Sequence, residues 1–332
     1  MNEEHPFAVF VRTLGKGRNG SRSLTLEEAQ QAMRMILAGQ VEPEQLGAFL
    51  MLMRVKEESP EELAGFVMAA REALPLPDKA PAVRVDWSSY AGKRRQLPWF
   101  LLSALLLASH GLSVFMHGDG GRDDGRIYTP EALALLGITP AATLREAAEQ
   151  LRAQHFSFMT LESLNPVLHR LMGMRPILGL RSPVNTVVRM LNPMRAPVMM
   201  QGIFHPGYRD LHQLAAQLAG QPHLAVLKGE GGEIERNPDA NCLVKYVHDG
   251  VLSEEDWPAL FGTRHVKDET MDMRRLPALW HGEIDDEYGV ATVTGTAAIA
   301  LRAAGMADSI EAAQTLAAEL WQRRPARWLA AA

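Results

Sequence analysis

A proline-rich stretch, LPLPDKAPAV at residues 74–83, divides the chain into two parts whose apolar residues follow different periods, and this break constrains the fold more than any other feature. Proline fixes φ and donates no backbone N–H, so no helix continues through it. From about residue 5 to residue 73 no strand pattern is convincing, and four helical patterns succeed one another: HPFAVFVRTLGK, TLEEAQQAMRMILAG, EPEQLGAFLMLMRVK and SPEELAGFVMAAREAL. Start signals mark them. Thr25 with Glu28 makes a capping box, Pro43 falls in a first turn, and Ser59 precedes Pro60 with Glu62 at its third position. Leu63, Phe66, Val67 and Ala70 recur at helical spacing, which predicts a compact helical subdomain.

Beyond the prolines, short apolar runs (VRVDW, SVFMHG, PVMMQGIF, LAVLKG) alternate with amphipathic helical segments such as YRDLHQLAAQLAG. That alternation predicts a parallel-rich sheet covered by helices. The expected architecture is α/β: a small all-helical N-terminal domain over residues 1–74, a Pro-rich hinge at 75–83, and a larger α/β domain over 84–332 with a mixed, mostly parallel sheet, helices around 163–190 packing back on the first domain. With 332 residues, 47% hydrophobic and 22% charged, the chain suffices for one large core and a satellite.

The stretch from Trp99 to Met116 is the one segment with the apolarity of a membrane span, but His110 and Gly111 interrupt it and divide it into a helix, LPWFLLSALLLAS, and a strand, LSVFM. No membrane association is expected. The opening MNEEHPFAVFVRTLGKG lacks a signal-peptide pattern, and a single cysteine, Cys242, excludes an internal disulfide framework and a cysteine-cluster metal site. Both features suit a reducing cytoplasm. A net charge of −5 argues against a wholly basic nucleic-acid protein, though not against basic residues gathered on one face. The acidic segments SEEDW and EIDDEY read as solvated faces, and GGRDDGR as a solvated ion-pair loop.

Four ordered segments carry a resemblance: ILAGQVEPEQLGAFLMLMRVKEESPEELAGFVMAAREAL, VFMHGDGGRDDGRIYTPEALALLGI, LGLRSPVNTVVRMLNPMRAPVMMQGIFHPGY and LAVLKGEGGEIERNPD. Together they resemble the anthranilate phosphoribosyltransferases and their nucleoside-phosphorylase relatives over most of residues 5–310. The resemblance implies a cleft for phosphoribosyl diphosphate and Mg2+, and the departures from it concern that cleft. Where the family has a glycine-rich diphosphate loop, this chain has DWSSYAGKRRQLP, with Trp87 and Tyr90 flanking Gly92, so a close backbone cradle is not expected. Met116 replaces a lysine before His117. Glu233 followed by Ile234 reduces an acidic pair, with Glu235 displaced by one residue, and one carboxylate is a poor seat for magnesium. Leu164, Asn165 and Pro166 replace a tyrosine–histidine–proline, while Arg175 matches an arginine that holds an aromatic acid. A dedicated metal site is not expected.

The same loop gained cations, Lys93, Arg94 and Arg95, and the turn GKGRNGSR carries Lys16, Arg18 and Arg22 with Arg12 a turn earlier. These segments resemble YbiB-type members of the family, which implies a homodimer binding single-stranded DNA or RNA without sequence preference and without a cofactor. Loops bearing Lys and Arg suit phosphate tracking, and Tyr90 and Trp87 would stack on bases if exposed. Arg195 and Lys228 are weaker candidates for the same role; His117 with Asp119 is a weak acid–base or metal signal. Two other readings compete with nucleic-acid binding: a glycosyl or phosphoribosyl transferase of altered substrate that uses Arg175, His117 and Glu233, and a small-molecule binding module that uses the cleft without chemistry.

Overall fold

The computed structural model describes residues 3–74, 76, 80–121, 125–266 and 270–326. Four helices come first: α1 (Ala8–Gly15), α2 (Leu26–Leu37), α3 (Pro43–Lys56) and α4 (Pro60–Glu72). Their starts follow from the local sequence. Thr25 Oγ1 accepts from the Glu28 amide while the Glu28 carboxylate accepts from the Thr25 amide, the reciprocal satisfaction of orphan donors that a capping box provides. At α4 the box acid does more. Glu62 is fully buried and accepts from the Ser59 amide at 2.8 Å, the Leu24 amide at 2.7 Å and Lys56 Nζ at 2.7 Å. A residue legible as a cap thus also ties the α1–α2 connection to α4. The bundle interior is an edge-to-face aromatic row of Phe10, Phe7, Phe49 and Phe66, with neighbouring centroids 5.3–6.0 Å apart.

Seven strands form one sheet in the order β3-β2-β1-β4-β5-β6-β7. They are β1 (Val85–Ser89), β2 (Val114–Gly118), β3 (Phe156–Thr160), β4 (Val198–Ile203), β5 (His223–Lys228), β6 (Cys242–His248) and β7 (Val251–Trp257). The first five are mutually parallel, β6 runs antiparallel to β5, and β7 antiparallel to β6, so the sheet is mixed and mostly parallel, as expected. β1, β2 and β4 are buried along their whole length, which requires helices on both faces. One of these, α5 (Phe100–Ser109), is the apolar segment that resembled a membrane span. It lies wholly within the core, and no helix among the described residues is long and apolar enough to cross a membrane.

β3, β6 and β7 are not among the runs named as strands from the sequence, and the last two form a hairpin. These two join through Asp249 and Gly250, both at positive φ, which is the local signal of a tight hairpin turn. SEEDW, expected to be a solvated face, lies in the edge strand β7 and is solvated only in part: Ser253, Glu254 and Asp256 are exposed and protect the unpaired edge, whereas Glu255 is half-buried against Arg302 and Trp257 is fully buried. The run Arg122–Asp124 within GGRDDGR lies outside the described residues.

The two parts share packing. From α4, Arg71 donates to the carbonyls of Leu191 and Met190, each at 3.0 Å, and to Gln221 Oε1 at 3.3 Å. Burial pushes this guanidinium down to about 10, still charged at neutral pH. The helical bundle thereby holds the segment that forms one wall of the cleft.

Candidate anion-binding cleft

Strand order sets the position of the site. The chain leaves β3 at one end of the sheet and re-enters at β4 beside β1, so connections diverge to either side of the β1–β4 pair. In open α/β sheets the crevice beyond the carboxyl ends of such strands is where ligands bind. A cavity of about 830 Å3 lies there, lined by Tyr90 and Ala91 after β1, by Ile203–His205 at the end of β4, and by Gly231 and Gly232 after β5. Residues 172–189 form the opposite wall.

Four guanidinium groups, those of Arg126, Arg175, Arg181 and Arg189, face this cavity, and among the described residues Asp119 is the one carboxylate in its lining. Arg189 is anchored, its Nη1 donating to the carbonyls of Gly202 and Gly232, each at 3.1 Å. Burial lowers its pKa and the nearby Glu233 opposes that shift, but guanidinium remains charged under any ordinary condition. Arg126 Nη1 donates to the carbonyls of Ala91 and Gly92 at 3.0 and 3.1 Å. Arg175 is exposed at the rim. Of these four, the sequence reading found Arg175. Arg189 and Arg181 lie in the quoted segment LGLRSPVNTVVRMLNPM, where nothing in the local pattern distinguishes a cleft arginine from a surface one.

Two loops close the floor. One follows β1 and the other follows β5. Glu233 reaches from the second to the first: it is fully buried, and its Oε1 accepts from the amides of Ala91 at 2.6 Å and Gly92 at 2.7 Å. Gly92 adopts φ +65°, and a Cβ there would lie 3.1 Å from the Tyr128 ring, so glycine is required both by the backbone and by the close approach. The expectation that no amide cradle forms is corrected in part. Two adjacent amides do converge, and an internal carboxylate holds them.

Lys93 is the clearest correction. Expected to contact nucleic acid, it is 2% exposed and forms a buried ion pair with Glu235, whose other oxygen accepts from the Phe100 amide at 2.9 Å. Its backbone pairs with Ile127 in both directions at 2.8 Å, which turns the side chain inward. Burial pushes the Glu235 carboxyl above the usual range, and Lys93 and the Phe100 amide pull it back. Arg94 and Arg95, next in sequence, remain exposed.

Other expected residues are distributed elsewhere. His117 is fully buried and therefore does not face the cleft; it bonds the Tyr90 hydroxyl through Nδ1 at 2.7 Å and approaches Asp86 through Nε2 at 3.4 Å. Tyr90, itself 9% exposed, lines the cavity, and burial together with Asp86 raises its pKa well above the ordinary value, so it keeps its proton. Trp87 is fully buried and cannot stack on a base. Asn165 is 8% exposed and caps a helix by accepting from the Leu168 amide. Arg195 donates to the Arg71 carbonyl, away from the cavity lining, and Lys228 is exposed at the end of β5 and also outside that lining. In the N-terminal turn, Lys16 and Arg18 are exposed, whereas Arg12 pairs with Glu4 and Arg22 is bidentate to Glu28 at 2.6 and 2.7 Å. That pair draws Glu28 down to about 2.

Comparison with known proteins agrees with this architecture. Residues 11–74 match the glycosyl transferase family, helical bundle domain. An anthranilate phosphoribosyltransferase of Burkholderia cenocepacia (strain HI2424) is 27% identical over 307 residues, 90% of this chain and 89% of that protein. The crystal structure of anthranilate phosphoribosyltransferase from Thermus thermophilus superposes with a TM-score of 0.78 at 22% identity, over 96% of this chain and 94% of that one. The enzyme from Saccharomyces cerevisiae in complex with PRPP and Mg gives 0.77 at 16% identity, over 97% and 94%. The chain thus has an anthranilate phosphoribosyltransferase-like fold: a helical bundle on a mixed α/β sheet with a cleft at its switch point.

In that Saccharomyces cerevisiae complex the fold holds PRPP and Mg. The residues present do not fit a protein-bound Mg2+ in this conformation: Glu233 is engaged by two amides through Oε1 while its Oε2 is sealed from solvent, Glu235 is engaged by a lysine and an amide, and no cluster of three metal-ligating side chains occurs among the described residues. Mg2+ at a phosphate site needs at least one accessible carboxylate beside the substrate's own oxygens and water, and neither Glu233 nor Glu235 offers one here.

Proposed function

We propose that this protein is a glycosyltransferase-class enzyme of the anthranilate phosphoribosyltransferase type with an altered substrate, and that its cleft takes an anionic sugar phosphate through guanidinium groups. The observation that carries this reading is the clustering of Arg126, Arg175, Arg181 and Arg189 around one cavity at the sheet's switch point. Arginine presents donors in a planar fork that matches phosphate and carboxylate oxygens, and needs no metal to neutralise them. The named activity of the Burkholderia relative supports the reaction class. Tyr90, protonated at neutral pH, and the anchored Arg189 beside it would orient the bound group together.

Calorimetric titration with ribose 5-phosphate tests it. Wild-type protein is expected to bind, and Arg175→Ser, which removes an exposed rim cation, to weaken binding about three- to tenfold. Arg189→Met is expected to cost about tenfold or more, the worth of a charge-assisted bond, with its melting temperature measured alongside because Arg189 also ties two carbonyls. Absence of binding by the wild type overturns the reading.

One observation favours a second reading, nucleic-acid binding. Arg94 and Arg95 are exposed on the same loop that lines the cavity, and Arg175 and Arg181 are exposed on the opposite wall. In a homodimer joined through the N-terminal helices, Lys16 and Arg18 would extend that track. Affinity for a single-stranded oligonucleotide that falls steeply between two salt concentrations is its signature.

A further inference from the structure

We propose that Glu233 is a specificity-determining residue: its carboxylate acts as a built-in anion on the Ala91 and Gly92 amides and so excludes a diphosphate from the cleft floor. The inference deepens the reading of the cleft as an anion site and rests on it for the substrate class. Adjacent backbone amides that converge on one point form an anion site whatever fills it. Here the filling oxygen is covalently part of the chain, at 2.6 and 2.7 Å, distances proper to charge-assisted bonds. The contact lies at the cavity wall, since Ala91 on one side and Gly231 and Gly232 on the other line the cavity.

The loop that delivers Glu233 is not free to withdraw. A Cβ at Gly229 would lie 1.5 Å from the Glu233 carbonyl oxygen and one at Gly202 2.5 Å from it, so both neighbours are packed against this backbone at glycine distance. Arg189 clamps it from the cavity side through the Gly202 and Gly232 carbonyls. Behind it, the Lys93–Glu235 pair joins the same two loops a second time. The second oxygen, Oε2, has no hydrogen-bond partner but is sealed from solvent, so in this conformation a cation in the cavity does not reach it. A diphosphate seeking these amides would have to expel the carboxylate and leave it buried without its donors. A single phosphate held by the arginines meets no such conflict. The substrate class that follows is a sugar bearing a phosphate monoester, not a ribosyl diphosphate.

Calorimetry with inorganic pyrophosphate, with and without Mg2+, tests this in the wild type, Glu233→Gln and Glu233→Ala. Wild-type protein is expected to bind pyrophosphate no more tightly with Mg2+ than without it, and Glu233→Ala to gain at least about tenfold in affinity by releasing two amides for charge-assisted bonds. No gain in a folded Glu233→Ala overturns the proposal, as does Mg2+-dependent binding by the wild type that Glu233→Ala abolishes, which would make Glu233 a metal ligand. If Glu233→Ala does not fold, NMR of the wild type decides: pyrophosphate must leave the Ala91 and Gly92 amide resonances in place, while the near-isosteric Glu233→Gln shifts both. Movement of those amides by pyrophosphate in the wild type sinks the idea. A wild type that ignores ribose 5-phosphate removes the proposed function alone, because a gain of pyrophosphate binding in Glu233→Ala still stands.

Discussion

Two glycine-containing basic segments, GKGRNGSR in the N-terminal turn and GKRRQ after β1, look alike in sequence and differ in the folded protein. In the first, Lys16 and Arg18 are solvated, and Arg12 and Arg22 pair with the partly exposed acids Glu4 and Glu28. In the second, Lys93 is buried against Glu235, the backbone beside it grips Glu233, and Arg94 and Arg95 alone remain outside. What differs is not composition but what the fold brings opposite: a distant loop with two acids at one side of the cleft, water at the bundle surface. A cationic run therefore tells little about function until its partners are known.

The largest expected effect breaks the buried side of this comparison. Lys93→Met leaves Glu235 buried with no counter-charge, and removal of one partner of a buried pair costs about 3–5 kcal/mol. Denaturant unfolding should show that loss, and Lys93→Met combined with Glu235→Leu should recover much of it. A Lys93→Met protein as stable as the wild type would place Lys93 in solvent after all.

An intermediate effect comes from the cleft wall. His212 is 2% exposed, its Nδ1 bonds Gln201 Oε1, and burial with Arg189 nearby pushes it down to about 3. Between that value and the ordinary histidine value the unfolded chain binds a proton that the native state refuses. The stabilising contribution is thus complete above about pH 6.5 and declines by about 1.4 kcal/mol per pH unit below it. Urea midpoints from pH 8 to pH 5 should fall with that slope, and His212→Gln should flatten it. The smallest effect belongs to the exposed cations. Arg94→Ser with Arg95→Ser should change stability by no more than about 0.5 kcal/mol and leave ribose 5-phosphate binding intact. If the nucleic-acid reading holds, the same double variant lowers the salt slope of oligonucleotide binding by about two.

The sequence by itself determined the helical bundle and four of the five parallel strands, β3 excepted, because capping boxes, proline positions and apolar periods act within a few residues of where they are written. Thr25, Ser59 and α5 behave as their neighbours dictate. It also marked the loop after β1 as changed. It could not show what the change produced, since the cleft is made by pairs remote in the chain: Glu233 on Ala91 and Gly92 lies more than 140 residues away, and Arg189 bridges β4 and the loop after β5. Such contacts have no local period and no fixed spacing. Only the tertiary structure decided that Lys93 is a core residue, that His117 is shut away behind Tyr90, and that an amide pair expected to be absent is present and already filled. The reason is physical: a charged side chain is stabilised by whatever donor or counter-ion meets it at hydrogen-bond distance, and that meeting is settled by the packing of whole elements.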